Sequence, residues 1–232
     1  MGYRASSAIF YHLLQGCIEK KSLTSGRRVH QLILRSGYIF DTFLGSHLIR
    51  MFSECGSLIE AMEVFKELPD NTVYTWSAII FAFAKHTQGE EVMKLFAQMQ
   101  QQSGLAPNVY TIVGVLKACS SGADVSQGRL VHSLAVEYHI SSDIYVCNSL
   151  VDMYAKCGDI EEAQKLLEEL PFQDAITWNV LISGYVQKGE YDNALNCFER
   201  MQTEGISPNV ITLIYSLKAC DSIGSINKGK QI

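Results

Sequence analysis

The chain contains an internal duplication with an offset of 102 residues. Trp76 recurs as Trp178, and the same offset relates Cys55 to Cys157. Further pairs at this offset are Cys17 and Cys119, Gly56 and Gly158, His30 and His132, and Pro69 and Pro171. Repetition at a fixed spacing is the sequence signature of proteins that stack similar structural units instead of folding around one core. The duplication therefore predicts a repeat array.

Within each block, apolar residues recur at the three- and four-residue spacing of short amphipathic helices. Between Asp143 and Asn209, four such segments are separated by breaks at Cys157-Gly158, Leu170-Pro171 and Lys188-Gly189. Gly and Pro at these breaks are typical of turns, so the pattern predicts pairs of helices. One pair cannot bury its apolar face alone, whereas stacked pairs can. The expected fold is all-α.

Each block divides into three helical pairs of unequal length. We expect repeats at residues 7–41, 42–72, 73–108, 109–143, 144–174 and 175–209, and a partial repeat at 210–232. Pro69, Pro107, Pro171 and Pro208 all fall between repeats. Thr24 or Ser25 is expected to cap the second helix of the first repeat, and Asp159 that of the fifth.

The formal net charge is −5, which argues mildly against nucleic-acid binding because such proteins usually present basic surfaces. Charge is unevenly placed, however. Glutamates such as Glu161 and Glu168 fall on predicted second helices. Basic residues fall in or at the end of predicted first helices: Arg50, Lys85, Lys117, Lys156, Lys188 and Lys218. One side of a two-layer array can therefore be basic although the total is acidic.

Neither catalysis nor metal binding is indicated by the sequence. The seven cysteines contain no CxxC pair, and equivalent cysteines would lie one repeat apart, so we expect buried thiols in a reducing compartment. His30 and His132 are interpreted as packing residues. There is no phosphate loop, nucleophile elbow, HExxH or zinc-deaminase signature. We expect a protein that is not an enzyme, with no cofactor, no metal and no membrane-spanning segment.

Three stretches give the repeats a family resemblance. They are SLVDMYAKCGDIEEAQKL in repeat 144–174, TWNVLISGYVQKGEYDNALNCFERMQTEGISPN in repeat 175–209, and GVLKAC with GRLVH in repeat 109–143. These resemble the pentatricopeptide repeat in its plant-type PLS variety, which alternates long, short and standard repeats. The order here would be long, short, standard, twice, followed by a partial long repeat. The resemblance implies a right-handed α-solenoid whose first helices line a concave groove.

The resemblance also implies residues that contact single-stranded RNA, with one base read per repeat. The base-selecting pairs would be Ser46 with Thr72, Ser77 with Asn108, Asn148 with Asp174, and Asn179 with Asn209. The corresponding long-repeat residues Tyr11 and Val113 are not the common polar readers. Base-stacking positions would be Phe43, Tyr74, Tyr110, Tyr145, Ile176 and Ile211, although these could instead be core residues between repeats. Lys85, Lys156 and Lys188 would contact phosphates.

From its shared phase in each repeat, the first base-selecting residue should be exposed on the concave side, as Ser77, Asn148 and Asn179. We therefore expect a sequence-selective single-stranded RNA-binding array, as the recognition module of an organellar RNA editing or processing factor in the mitochondrion or chloroplast. The alternative is a protein-interaction solenoid without RNA readout. Accessory editing proteins would bind through the long repeats. Because the last repeat stops within its second helix, we expect a longer parent protein that holds the targeting segment and, as in similar proteins, a downstream deaminase-like domain.

Overall fold

The computed structural model describes residues 7–38, 41–170, 173–225 and 229. In these residues the chain forms thirteen α-helices and no strand. The helices are α1 Ser7–Glu19, α2 Leu23–Arg35, α3 Thr42–Glu54, α4 Leu58–Glu67, α5 Val73–Lys85, α6 Gly89–Ser103, α7 Val109–Gly122, α8 Val125–Glu137, α9 Ile144–Lys156, α10 Ile160–Glu169, α11 Ala175–Lys188, α12 Tyr191–Thr203 and α13 Val210–Ser222. The all-α prediction is confirmed.

The turns inside the helical pairs repeat as faithfully as the sequence does. Gly56 follows α3 with φ of 87°, and Gly158 follows α9 with φ of 85°. Side chains other than glycine rarely adopt this left-handed conformation, which ends many helices. The same glycine therefore ends the first helix at both places, and the sequence duplication is also a duplication of backbone conformation.

Three second helices, α2, α8 and α10, begin at a side chain that accepts a hydrogen bond from the first turn. Asp159 accepts a hydrogen bond from the Glu162 N–H, which confirms its predicted role at the start of α10. The prediction of Thr24 or Ser25 for α2 is wrong. Ser22 is the N-cap, and its hydroxyl oxygen accepts from the Ser25 N–H. The helix begins earlier than expected because a hydroxyl side chain is already available at the turn.

The chain divides into two compact bodies, Met1–Ala118 and Cys119–Ile232. In the first body, α1, α3 and α5 pack side by side. The second helices α2, α4 and α6 pack against the first helices that precede them, and α2 and α4 also contact the first helices that follow. Leu14, Ile49, Met51 and Ile80 are among the fully buried side chains at these contacts. Each helical pair thus covers the apolar face of its neighbour.

The second body repeats this arrangement. Helices α9, α11 and α13 pack side by side, and α10 and α12 each contact the first helices on both sides of them. Trp178 on α11 is completely buried, as are Leu181 and Ile182. Arg200 of α12 lies over the Trp178 ring, 5.5 Å from its centroid, and closes the core toward solvent.

Ion pairs between consecutive second helices reinforce the stacking. In the first body, Arg27 of α2 donates to both carboxylate oxygens of Glu60 on α4, at 2.9 and 3.1 Å. In the second body, Arg129 pairs with Asp159, and Arg200 pairs with Glu168. These arginines are exposed, so solvent screens each pair and each contributes little to stability. Apolar packing therefore supplies most of the cohesion.

The helical pairs fall within the predicted repeats, but helix bounds do not fix where one repeat ends, so those boundaries stay a prediction. Pro171 lies outside the described residues. Within the described ranges, no helix has the length and apolar character needed to cross a membrane.

Candidate nucleic-acid interface

The last residue of every complete predicted repeat caps the next first helix. At each of these six places a side-chain oxygen accepts a hydrogen bond from a backbone N–H in the first turn. The six residues are Asp41, Thr72, Asn108, Asp143, Asp174 and Asn209. Ser, Thr, Asp and Asn are the preferred N-cap residues because they satisfy N–H groups that the helix leaves unpaired. The chemistry of this position is therefore required by folding as well as by any RNA readout.

Four buried threonines, which the sequence analysis did not single out, lie three residues after such a cap. Thr75, Thr111, Thr177 and Thr212 are completely buried. The Thr177 hydroxyl faces Oδ1 of Asn148 at 3.0 Å and Oδ1 of Asp174 at 2.7 Å. It thereby joins the two predicted base-selecting residues of repeat 144–174. A polar residue three positions after a cap was the available sequence signal.

A similar cluster, in which the two predicted base-selecting residues meet beside a buried threonine, forms in the two standard repeats 73–108 and 175–209. We call this cluster the junction. Ser77 Oγ donates to Asn108 Oδ1 at 2.9 Å and lies 2.9 Å from the Thr111 hydroxyl. The Asn179 amide nitrogen donates to Asn209 Oδ1 at 3.1 Å. The structure therefore brings together three of the four predicted pairs, each next to a buried threonine.

The first residue of these pairs was predicted to be exposed, and this is wrong for Ser77 and Asn179. Ser77 is 6% exposed and Asn179 is 7% exposed, while Asn148 is half-buried. Their polar atoms contact the capping residue and the buried threonine, and the Ser77 hydroxyl also lies 2.6 Å from the Val73 carbonyl oxygen of its own helix. This counts against direct readout while the clusters stay closed, because a base must then replace an internal hydrogen bond or use the donors and acceptors left over.

The pKa of the Asp174 carboxyl group reflects the hydrogen bonds of its cluster. Burial by itself would raise the pKa of its carboxyl group, but hydrogen bonds from the Thr177 N–H and hydroxyl outweigh burial and hold the pKa below its usual value. The carboxylate is thus a fixed hydrogen-bond acceptor at neutral pH.

The fourth predicted pair is not assembled. Ser46 Oγ donates to the Phe43 carbonyl oxygen of its own helix, at 2.8 Å. The Thr72 side chain accepts from the Thr75 N–H, and the Thr75 hydroxyl lies 3.2 Å from Oδ1 of Asn71. Ser46 and Thr72 both line a groove in the first body, but they do not bond to each other through any recorded contact of the described residues.

The six predicted stacking residues all present a large exposed surface. Their exposed fractions are 51% for Phe43, 67% for Tyr74, 64% for Tyr110, 66% for Tyr145, 61% for Ile176 and 52% for Ile211. These values exclude the alternative that the six side chains form the core between repeats. They leave ring and aliphatic faces available for a base.

The three predicted phosphate-binding lysines are engaged in ion pairs. Lys85 pairs with Glu54 at 2.5 Å, Lys156 with Asp152 at 2.8 Å, and Lys188 with Glu190 at 3.1 Å. Glu54 and Asp152 lie on first helices, so the expected separation of charge between layers is incomplete. Exposed pairs of this kind are weak enough to exchange for a phosphate.

Sequence relationships agree with this architecture. A model described as the PPR repeat family matches residues 71–121 and 173–220, and a second, described as the PPR repeat, matches 46–73 and 145–171. The chain belongs to the pentatricopeptide repeat family.

Among relatives, the pentatricopeptide chain is 34% identical over its whole length to a mitochondrial pentatricopeptide repeat-containing protein of Arabidopsis thaliana, and covers 36% of that protein. It is also 34% identical to a chloroplastic member from the same plant, over 95% of the chain and 36% of the relative. The chain thus spans about a third of the length of these relatives.

Solved structures show the same fold. The pentatricopeptide repeat protein PPR10, in complex with an 18-nucleotide psaJ RNA element, superposes with a TM-score of 0.78 and 16% identity, covering 99% of this chain and 34% of PPR10. Maize PPR10 described without RNA gives a TM-score of 0.71 and 20% identity, covering 98% of this chain and 34% of PPR10. This similarity establishes the all-α repeat-solenoid fold.

Five of the seven cysteines of the pentatricopeptide chain are buried. None of the seven cysteines, all of which lie in the described residues, forms a disulfide, and burial raises the pKa of Cys119 and of Cys197 to about 11, so both remain thiols. Within the described part of the chain, no group of three or more His, Cys, Asp or Glu side chains is placed to hold a metal ion.

One cluster beside the predicted stacking row was missed by the sequence analysis. The His47 ring lies edge-on to Phe43 and Tyr11, with centroid distances of 4.6 and 4.7 Å. His47, Arg50 and Phe43 line the groove of the first body, an open cavity of about 1200 Å³. The spacing of residues 43, 46, 47, 50 and 54 along one helix was the available signal, because residues three and four apart share a helix face.

Proposed function

We propose that the chain is a sequence-selective single-stranded RNA-binding array. The observation that carries this proposal is the junction in repeats 73–108, 144–174 and 175–209. There, two residues distant in sequence meet in one hydrogen-bonded cluster, such as Asn179 with Asn209. Exposed aromatic or aliphatic side chains repeat in the same phase of the first helices. A polar cluster beside a stacking face supplies the two contacts needed to recognise an unpaired base.

The clusters retain hydrogen-bonding capacity after their internal bonds are counted. The Asn179 amide donates to Asn209 and accepts from the Thr212 hydroxyl. A primary amide has two N–H donors and two acceptor lone pairs, so one of each is left for a base edge. A base stacked on the neighbouring exposed side chain would have to approach this edge and contact the remaining donor and acceptor.

The resemblance to the family suggests the order of bases. The Ser77 and Asn108 pair would favour adenine, Asn148 and Asp174 uracil, and Asn179 and Asn209 a pyrimidine. With the chain parallel to the RNA, the preferred sequence would read 5′-A-N-U-Y-3′. The long repeat 109–143 has Val113 in place of a polar reader, and so it contributes no base preference.

The test is the binding of short labelled RNAs measured by fluorescence anisotropy at low salt. Single-stranded RNA containing A-N-U-Y should bind at least about tenfold more tightly than RNA with adenine and uracil exchanged. The same strand in a duplex should bind weakly, because its base edges are paired. Equal binding of all three RNAs would overturn the proposal of sequence selectivity. Binding of none of them would overturn RNA recognition and favour a protein-interaction solenoid.

We further propose that the array is the recognition module of an organellar RNA editing or processing factor with the PLS order of repeats. The organellar relatives and the length of chain they have beyond this region support this assignment. Leu130 and Val136 are exposed on α8, so a predicted long repeat presents two apolar side chains that an accessory protein would cover. Leu130→Glu should abolish capture of such a protein while RNA affinity stays unchanged; loss of both would refute separate surfaces.

A further inference from the structure

Helix α3 presents one continuous stripe to the groove of the first body. Phe43, Ser46, His47, Arg50 and Glu54 all line this cavity. The Ser46 hydroxyl donates to the Phe43 carbonyl oxygen of its own helix, and, unlike Ser77 with Asn108, it has no contact with the capping residue of its repeat among the described residues. Repeat 42–72 therefore offers no assembled polar pair, and any contact it makes must come from the other side chains of the stripe.

Arg50 has a charge that its surroundings leave available. The carboxylate of Glu54, one helical turn away, is taken by Lys85 from α5 at 2.5 Å. Among the described residues, no ion pair or hydrogen bond is recorded for the exposed Arg50 guanidinium. A guanidinium is weakly hydrated and its donors match the geometry of a phosphate, so an unpaired arginine in a groove is well suited to bind one.

His47 is held rigidly beside it. Its ring is fixed edge-on between Tyr11 and Phe43, and Tyr11 lies 6.0 Å from Phe43 across the cluster. Burial, and then the positive charge of Arg50, lower the His47 pKa, so the ring is neutral at pH 7 and has one N–H to donate. Tyr11 positions this donor without itself lining the groove.

The second body supplies an internal comparison. At an offset of 102 residues, Val113 stands in place of Tyr11, Ser149 in place of His47, and Asp152 in place of Arg50. Asp152 pairs with Lys156 on its own helix and accepts from the Ser120 hydroxyl. The helix α9 folds with an acid at this place, so Arg50 is not required for folding. The first body thus carries a basic group where its duplicate carries an acidic one.

We propose that Arg50, with His47 beside it, binds a backbone phosphodiester of single-stranded RNA in the groove of the first body. This inference rests on the proposed RNA-binding function and assigns repeat 42–72 a different role within it. The repeat holds the strand through the phosphate charge, independent of base identity, while neighbouring repeats select bases.

The test compares Arg50→Gln with Arg35→Gln, which removes the same charge from an exposed position on α2. For single strands, each phosphate contact contributes about −0.7 to the slope of log K against log salt concentration. Arg50→Gln should therefore flatten the slope by about 0.7 and weaken binding by about tenfold at low salt. Base preference should not change. Arg50→Lys should keep the slope, and Arg35→Gln should match the wild type.

Methylphosphonate linkages, which remove the charge of one phosphate at a time, locate the contact. One linkage should weaken binding of the wild type but not of Arg50→Gln. An unchanged slope in Arg50→Gln, or an equal change in Arg35→Gln, would overturn this inference while A-N-U-Y selectivity could still stand. If the wild-type protein shows no selectivity for A-N-U-Y, the proposed RNA-binding function is refuted and this inference with it. If polyglutamate binds as tightly as the RNA, and this binding also depends on Arg50, the groove binds anions without selectivity and the phosphate-binding inference is overturned.

Discussion

The amide nitrogen of Asn179 donates a hydrogen bond to the side-chain oxygen of Asn209, thirty residues later, at 3.1 Å. Asn209 also caps α13, with its oxygen accepting from the Ile211 and Thr212 N–H groups. The position that would select a base is therefore fixed by the start of the next helix. Base preference and helix initiation are coupled through a single side chain.

Thr177→Val should relax selectivity for uracil and destabilise the fold modestly. The buried hydroxyl joins Asn148 to Asp174, and its loss leaves their oxygens without this donor, which costs about 1–3 kcal/mol in the free energy of unfolding. Valine fits, because Val146 occupies the equivalent place after a long repeat and is fully buried. Chemical denaturation and anisotropy measure the two effects. Exposed Thr203→Val is the control, and an equal loss there would contradict the assignment.

The double substitution Asn148→Ser with Asp174→Asn should move the preference at the third base from uracil to adenine. It copies the cluster that Ser77, Asn108 and Thr111 form in the first body, and asparagine remains a good cap for α11. Binding to RNA libraries varied at one position at a time measures the change. A shift at every base would mean that the array responds as a whole, and no shift, with folding intact, would show that these residues do not read the base.

Tyr145→Ala should weaken RNA binding by about 1–3 kcal/mol through loss of stacking. Stability should hardly change, because two thirds of this side chain is already exposed. Ile59→Ala is the matched control, since Ile59 is even more exposed but lies on the second helix α4. Comparable losses in the two variants, measured by anisotropy, would mean that exposure rather than position decides the effect.

Acidification should destabilise the fold through His30 and His132. Burial lowers the pKa of both rings, although Glu60, Glu63 and Glu67 near His30, and Glu162 and Glu169 near His132, partly oppose it. The unfolded chain, with a histidine pKa of about 6.5, then binds protons first as pH falls, and stability declines below that value. Urea unfolding between about pH 7 and 5 measures the decline. His30→Gln with His132→Gln should reduce the decline and leave the part that comes from His47, whose pKa burial also lowers. An unchanged profile would exclude His30 and His132 as its source.

The sequence was sufficient to predict the helices, the duplication and the residues of the pairs, because apolar periodicity, glycine turns and repeated letters are local signals. It was insufficient for exposure. Whether Ser77 faces solvent depends on a partner 31 residues away, Asn108, and on Thr111, which the next helix buries against it. Likewise, the ring contacts of His47 with Tyr11 join two predicted repeats, and periodicity within one repeat carries no information about them.

The caps described for the first helices limit how such an array can diversify. A residue that must start a helix is drawn almost entirely from four small polar side chains, whatever base it meets. One residue of each base-selecting pair is therefore restricted by folding to a few residue types. New base specificities can arise freely only at the other residue of the pair, which lies on the first helix. This position already differs between repeats, as Tyr11, Ser46, Val113 and Asn148. In evolution and in protein design, the residue on the first helix should therefore be easier to change than the capping residue.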